Sequence, residues 1–114
     1  MDNKRDDSEG TMTLSAVCAL VGVSPRQVQY LREVGVVTPA VVSAGRGTSC
    51  MYSMADAVRI HIAAVELSGM EYEKRKEILD ALASGVDPIY LSDYCSISVE
   101  ENKIREELSG RKVD

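Results

Sequence analysis

The spacing of apolar residues along the chain predicts a small, mainly α-helical domain. The run LSAVCALV, residues 14–21, is apolar over most of its circumference and stops at Gly22, which predicts a short buried helix with a glycine at its carboxyl end. A polar segment in which apolar residues recur at every third position follows at once. Two short helices joined by a glycine-containing turn are therefore expected near the amino terminus.

The second helix carries the clearest start and stop signals in the chain. Ser24 is the predicted N-cap, Pro25 lies at the first helical position, where its missing N–H is not needed, and Gln27 completes a capping box. Gly35 is the predicted end of the helix. The apolar face consists of Val28, Leu31 and Val34. The other faces carry Arg26, Gln29, Tyr30 and Arg32.

The next segment is rich in turn-forming residues and predicts a β-hairpin. A β-branched pair, Val41 and Val42, precedes a glycine-containing loop. The simplest interpretation of residues 40–52 is two short strands joined by that loop. Arg46 then lies at the tip of the hairpin, flanked on each side by a glycine.

Two further helices are predicted after the hairpin. Ser53 and Asp56 form a second capping box that opens a helix from Met54 to about Leu67. A fourth helix is expected over residues 72–84, and its charged run EYEKRKE is interpreted as a solvated face. The third helix is expected to direct three apolar residues toward the core: Val58, Ile62 and Val65.

The carboxyl-terminal extension, residues 86–114, has a weaker pattern. The run DPIYLSDYCSIS is compatible with one strand or with an irregular segment. Ser98 and Glu101 form a third capping box, which predicts a last helix to about Leu108. The apolar residues Ile97, Ile104 and Leu108 have helical spacing, and they pack either on a second copy of the chain or on their own domain.

Length and charge give the domain organisation. A chain of 114 residues has room for one domain, and residues 1–11, which are polar, are expected to be a disordered arm before a domain at residues 12–85. The net charge of −5 argues against a nucleic-acid partner when taken alone. However, residues 11–70 carry four basic and three acidic groups, so the excess acid lies outside the middle of the chain.

Several classes of function are disfavoured by what the sequence contains. Its three cysteines have no C-x-x-C spacing and it has one histidine, so neither a metal site nor a disulfide framework is indicated and no cofactor is expected. No catalytic motif occurs, so the protein is not expected to be an enzyme. The polar amino terminus and the lack of a long apolar run favour a cytoplasmic protein without a membrane partner.

The order of these elements describes a winged helix-turn-helix module. The second helix is then the recognition helix, which enters the major groove of DNA while the hairpin, or wing, touches the flanking backbone. The run LSAVCALVGVSPRQVQYLREVGVVTP, the glycine-bearing wing and the run YSMADAVRIHIAAVELSGMEYEKRKEIL together resemble the amino-terminal DNA-binding domain of MerR-family transcription regulators, over about residues 12–82.

The resemblance implies a fold, a function and a set of contacts. The fold is a mainly α, MerR-like winged helix-turn-helix domain with a two-strand wing and a short strand and helix extension. The function is that of a DNA-binding transcription regulator, working on double-stranded DNA as a homodimer. The candidate DNA-contacting residues are Ser24, Arg26, Gln29, Tyr30, Arg32, Arg46 and Tyr52.

Two alternatives keep the fold and change the function. Wing positions that are usually arginine in the family hold Val41 and Cys50, and the net charge is acidic, which favours a module that binds a protein partner instead of DNA. Small phage proteins of excision or DNA packaging use a similar module.

Overall fold

The computed structural model describes residues 11–38 and 51–111. These residues form a mainly helical domain with two small antiparallel sheets. Its helices are α1 (Leu14–Val21), α2 (Pro25–Glu33), α3 (Met54–His61) with a π-helical continuation (Ile62–Glu66), α4 (Tyr72–Ala83) and α5 (Glu101–Ser109). Its strands are β1 (Thr11–Met12), β2 (Tyr52–Ser53), β3 (Ile89–Ser92) and β4 (Cys95–Ile97).

The helix-turn-helix pair forms where the sequence predicts it. Thr13, a cap that the pattern did not reveal, accepts a hydrogen bond from the Ala16 N–H on its side-chain oxygen at 3.1 Å and starts α1. Gly22 ends α1 in the left-handed region at φ 89°, where a side chain would be strained, and its N–H donates to the Cys18 carbonyl. This turn sets the direction in which α2 leaves.

The two predicted capping boxes at the starts of α2 and α3 are confirmed. The Gln27 N–H donates to Ser24 Oγ at 3.1 Å, and the Ser24 N–H donates to Gln27 Oε1 at 3.0 Å. At α3, the pair Ser53 and Asp56 makes the same two bonds at 3.1 and 2.9 Å. Two helices therefore start at the residue that the sequence specifies, because the cap satisfies N–H groups that have no partner within the helix.

The sheet at the amino-terminal end differs from the expectation. Thr11, predicted to lie in the disordered arm, belongs instead to β1, where it pairs with Ser53, and Met12 pairs with Tyr52. Tyr52, the last residue of the predicted wing, therefore pairs with Met12 at the start of the domain. The first predicted wing strand, the loop and Arg46 lie outside the described residues.

A π-turn changes which residues of α3 reach the core. The Leu67 N–H donates to the Ile62 carbonyl at 2.9 Å, five residues back, so one extra residue is fitted into the turn. Leu67 is consequently buried with Ile62, whereas Val65 is 42% exposed. The prediction that Val65 faces the core was wrong because it assumed a regular α-helical period.

The extension folds onto its own domain. Residues 89–97 form a β-hairpin, with Ile89 opposite Ile97 and an irregular register at Leu91, so this run is neither a single strand nor irregular throughout. Helix α5 packs across α3. Leu108 is 1% exposed, and Ile97 and Ile104 are half-buried against the same core. Within the single chain, these residues therefore pack on their own domain.

The start of α5 is not the one predicted. Its N-cap is Glu100, which makes no side-chain capping bond, and the proposed box of Ser98 and Glu101 does not form. The helix is held at its other end instead. Arg111 donates from Nη1 to the Leu20 carbonyl at 2.6 Å and from Nη2 to Glu107 at 2.9 Å, which ties the end of α5 to the end of α1.

Candidate nucleic-acid interface

Helix α2 presents a polar stripe on the side opposite its buried face. Val28 and Leu31 are buried, which fixes the rotation of the helix about its axis. Arg26, Gln29 and Tyr30, spaced by three and four residues, lie together on the outward side and are exposed. Three of the predicted contact residues are thus brought onto one surface, which runs from the first turn of the helix at Arg26 to its carboxyl-terminal half at Tyr30.

Arg32 and Ser24 lie at the margins of this stripe. Arg32 is half-buried in the last turn of α2, beside the exposed face, where a cation is favourable to the helix dipole. Ser24 is exposed, but its side-chain oxygen already accepts the capping hydrogen bond from Gln27. The main effect of Ser24 is therefore to fix where the helix begins.

The cations of α2 are electrostatically available. Within the described residues, neither Arg26 nor Arg32 forms an ion pair or a side-chain hydrogen bond. Residues 11–38 include one acidic residue, Glu33. A polyanion that approached this face would meet two guanidinium groups that no carboxylate neutralises, and such groups are the main source of affinity for a phosphate backbone.

Tyr30 is held by an aromatic contact from another helix. Its ring lies 4.8 Å from that of Tyr72, centroid to centroid, at an interplanar angle of 70°, in an edge-to-face arrangement. Tyr30 still has 44% of its surface exposed. The ring is thus packed on one side, as expected for an edge-to-face pair, and open to solvent on the other.

Arg75 lies beneath this pair and is a residue whose role the sequence analysis missed. It is 8% exposed, donates to the carbonyls of Met70 and Ala63 at 2.9 and 3.1 Å, and places its guanidinium carbon 4.3 Å from the centroid of the Tyr72 ring. The interpretation of EYEKRKE as a solvated face was therefore wrong at this position. The available signal was its spacing with the buried residues of α4, Ile78 and Leu79.

Tyr52 does not belong to the interface. Its exposed fraction is 0%, and it is enclosed in the core between β2 and the helices. The prediction of a DNA contact from Tyr52 is therefore corrected: the ring stabilises the domain and has no surface to offer a duplex. Arg46, the wing residue of the predicted set, lies outside the described part of the chain.

Residues 12–82 match a known family, described as MerR HTH family regulatory protein. The match covers more than half of the chain and ends inside α4. The chain belongs to the MerR family. This family is a class of DNA-binding helix-turn-helix regulators and is not a class of enzymes. The hairpin and α5 of this MerR-family protein lie beyond the matched residues, and no curated protein matches the chain.

Among the described residues, every helix is too short or too polar to cross a bilayer.

Proposed function

We propose that this protein is a sequence-specific transcription regulator that places α2 in the major groove of DNA and its wing, residues 40–52, on the flanking backbone. The observation that carries the proposal is the outward stripe of α2, where Arg26, Gln29 and Tyr30 are exposed together and the arginine is unpaired within the described residues. An α-helix fits the major groove, and side chains on its outward face reach base edges and phosphates.

Each residue of the stripe has a chemistry suited to one part of a duplex. Arg26, in the first turn of α2, can bond in a bidentate manner to guanine or to a phosphate, and Gln29 can do so to adenine. The phenol of Tyr30 can donate to a phosphate oxygen. Arg32 and the wing residue Arg46 add cations that attract the backbone without reading the sequence.

A second copy of the protein is part of the proposal. One short helix and a small wing give few phosphate contacts, so useful affinity requires two copies on adjacent half-sites. Since Ile104 and Leu108 pack on their own domain, α5 offers little apolar surface for this purpose. We expect the DNA to bring the copies together, as a homodimer or as neighbours, in the cytoplasm of the cell.

Selection of bound fragments from a random DNA pool at low salt tests the proposal. The expected result is enrichment of a short motif, whose affinity then falls steeply as the salt concentration rises. A pool without any enriched fragment at low salt would overturn the regulator hypothesis and favour the protein-binding alternative. A flat salt dependence would do the same, because it would show that phosphates are not neutralised.

A further inference from the structure

We infer that Tyr72 and Arg75 of α4 are positioning residues for the DNA contact made by Tyr30. The inference rests on the proposed function. Its basis is a continuous series of contacts from the interior to α2. The guanidinium of Arg75 lies over the ring of Tyr72, and the ring of Tyr72 packs edge-to-face with the ring of Tyr30. Neither Tyr72 nor Arg75 belongs to the outward stripe of α2.

The series of contacts begins at Arg75, whose guanidinium is held by two hydrogen bonds. Arg75 is buried, and its two hydrogen bonds go to the carbonyl of Ala63 in the π-helical segment and to that of Met70 in the turn before α4. Ala63 is one of the last four residues of the continuous helix that ends at Glu66, and the carbonyls at such a position have no partner within the helix. The guanidinium therefore satisfies a buried acceptor and is held in one plane by two bonds from its rigid fork.

The anchored guanidinium holds the ring of Tyr72. A separation of 4.3 Å between the guanidinium carbon and the ring centroid is the geometry of a cation–π contact, and the low exposure of Arg75 strengthens it. Tyr72 is the first residue of α4 and is partly exposed. Without the guanidinium of Arg75 beneath it, the Tyr72 side chain would populate several rotamers.

The fixed ring of Tyr72 in turn restricts Tyr30. The edge-to-face contact at 4.8 Å blocks one side of the Tyr30 ring and leaves its other side in solvent. The carboxyl end of α2 also lies against α4, since a side-chain carbon added at Gly35 would be 3.6 Å from Cε of Lys76. Helix α4 thus supports the half of α2 that carries Tyr30.

The consequence is a preorganised contact. A phenol that already points in one direction loses less side-chain entropy when its hydroxyl meets a phosphate. Replacing Tyr72 by an aliphatic residue leaves Tyr30 and its hydroxyl in place but frees the ring. The affinity for DNA then falls, although Tyr72 itself makes no contact with the duplex.

The test compares Tyr72→Leu with its matched control Tyr72→Phe, which keeps the ring. The DNA is the fragment selected by the wild-type protein, at one fixed salt concentration. Tyr72→Leu is expected to weaken binding by about threefold to tenfold, the range for loss of one aromatic contact, and Tyr72→Phe to remain within about twofold of wild type. If the leucine variant folds poorly by thermal unfolding, Tyr72→Met takes its place.

A double-mutant cycle separates positioning from general damage to the fold. In a Tyr30→Ala background, Tyr72→Leu is expected to have no further effect on affinity, because the residue it positions is gone. The ring protons of Tyr30, observed by NMR in the free protein, are expected to lose their ring-current shift in Tyr72→Leu and to keep it in Tyr72→Phe.

The outcomes that overturn the inference are specific. Equal losses from Tyr72→Leu with and without Tyr30, or unchanged affinity in Tyr72→Leu, would show that Tyr72 does not act through Tyr30. Unchanged Tyr30 ring shifts would show that the contact is not made in solution. A wild-type protein that binds no DNA would instead overturn the proposed function itself, which is a different result.

Discussion

Helices α2 and α5 both carry two basic residues, and the fold surrounds them differently. On α2, Arg26 and Arg32 have no acidic partner among the described residues, and Glu33 is the one acidic residue of the helix. On α5, Lys103 lies 3.4 Å from Glu100, and the helix and its N-cap together carry four glutamates, which are Glu100, Glu101, Glu106 and Glu107. The local balance of charge, and not the net charge of the chain, therefore distinguishes the proposed DNA-binding face of α2 from the solvated face of α5.

The same contrast extends to the rest of each region. Residues 71–111 contain ten acidic and six basic residues, and Lys74, Lys76 and Arg111 each lie against a carboxylate at 3.2, 3.2 and 2.9 Å. Such exposed pairs add little stability, but they cancel the field that would attract a phosphate. The carboxyl-terminal region therefore packs on the domain and pairs its cations internally, whereas the amino-terminal helix pair keeps the unpaired cations on which the proposed DNA contact depends.

The largest expected effect concerns the packing role of the carboxyl-terminal region. Leu108→Ala should lower the free energy of unfolding by about 2–5 kcal/mol, because it removes a fully buried side chain and leaves a cavity between α5 and the core. Urea denaturation followed by circular dichroism measures the change. Arg105→Ala, at an exposed position of the same helix, serves as the control. Equal stability of the two variants would mean that α5 does not belong to the domain core.

The next effect concerns DNA affinity. The double variant Arg26→Ala, Arg32→Ala should raise the dissociation constant for the selected DNA by about tenfold to a hundredfold and reduce the salt slope by about two, since two phosphate or base contacts are lost. The matched control, Lys103→Ala with Arg105→Ala on α5, removes the same charge. Titrations at several salt concentrations compare them. Equal losses in both variants would mean that net charge alone attracts the DNA.

A smaller effect tests the two predicted serine caps against each other. Ser24→Ala should destabilise the protein by about 1 kcal/mol, because the Gln27 N–H loses its partner at the start of α2. Ser98→Ala should leave stability nearly unchanged, since Ser98 does not cap α5. Thermal unfolding of the two variants decides the matter. A cost at Ser98 as large as that at Ser24 would contradict the observed start of α5.

The smallest effect concerns the thiols of the two regions, measured in a Cys50→Ser background. Burial raises the pKa of the Cys18 thiol, so alkylation of Cys18 should require unfolding, whereas the exposed Cys95 should react at once. Because the pKa is raised in the folded protein, the Cys18 thiol ionises at a lower pH in the unfolded chain than in the folded one. Stability should therefore fall as the pH rises above the ordinary cysteine pKa, and Cys18→Ala should reduce that fall. Rapid alkylation of Cys18 in the folded protein would contradict its burial.

Local signals in the sequence predicted much of the helix-turn-helix unit. The capping boxes at Ser24 and Ser53 and the glycine at residue 22 act within one helical turn, so they determine helix ends wherever the chain goes. The apolar period of α2 also predicted its outward stripe, with Arg26, Gln29 and Tyr30 exposed. These features depend on neighbours three or four residues away, which a sequence displays directly.

Other features depend on contacts between distant parts of the chain. The burial of Tyr52, the π-turn that exposes Val65, and the packing of α5 on α3 are examples that no local pattern revealed. Arg75 illustrates the reason: whether a guanidinium in a charged run is solvated or buried depends on carbonyls at Ala63 and Met70 and on a ring at Tyr72.

The sequence by itself thus determined the helix boundaries that have a cap or a glycine, the polar face of α2 and the family. The tertiary structure alone decided which cations stay unpaired, which aromatic rings are enclosed and what supports Tyr30. The division has a physical cause. Caps and amphipathic faces are set by hydrogen bonds and burial within a turn, whereas pairing and stacking are set by whichever surface the rest of the fold brings close.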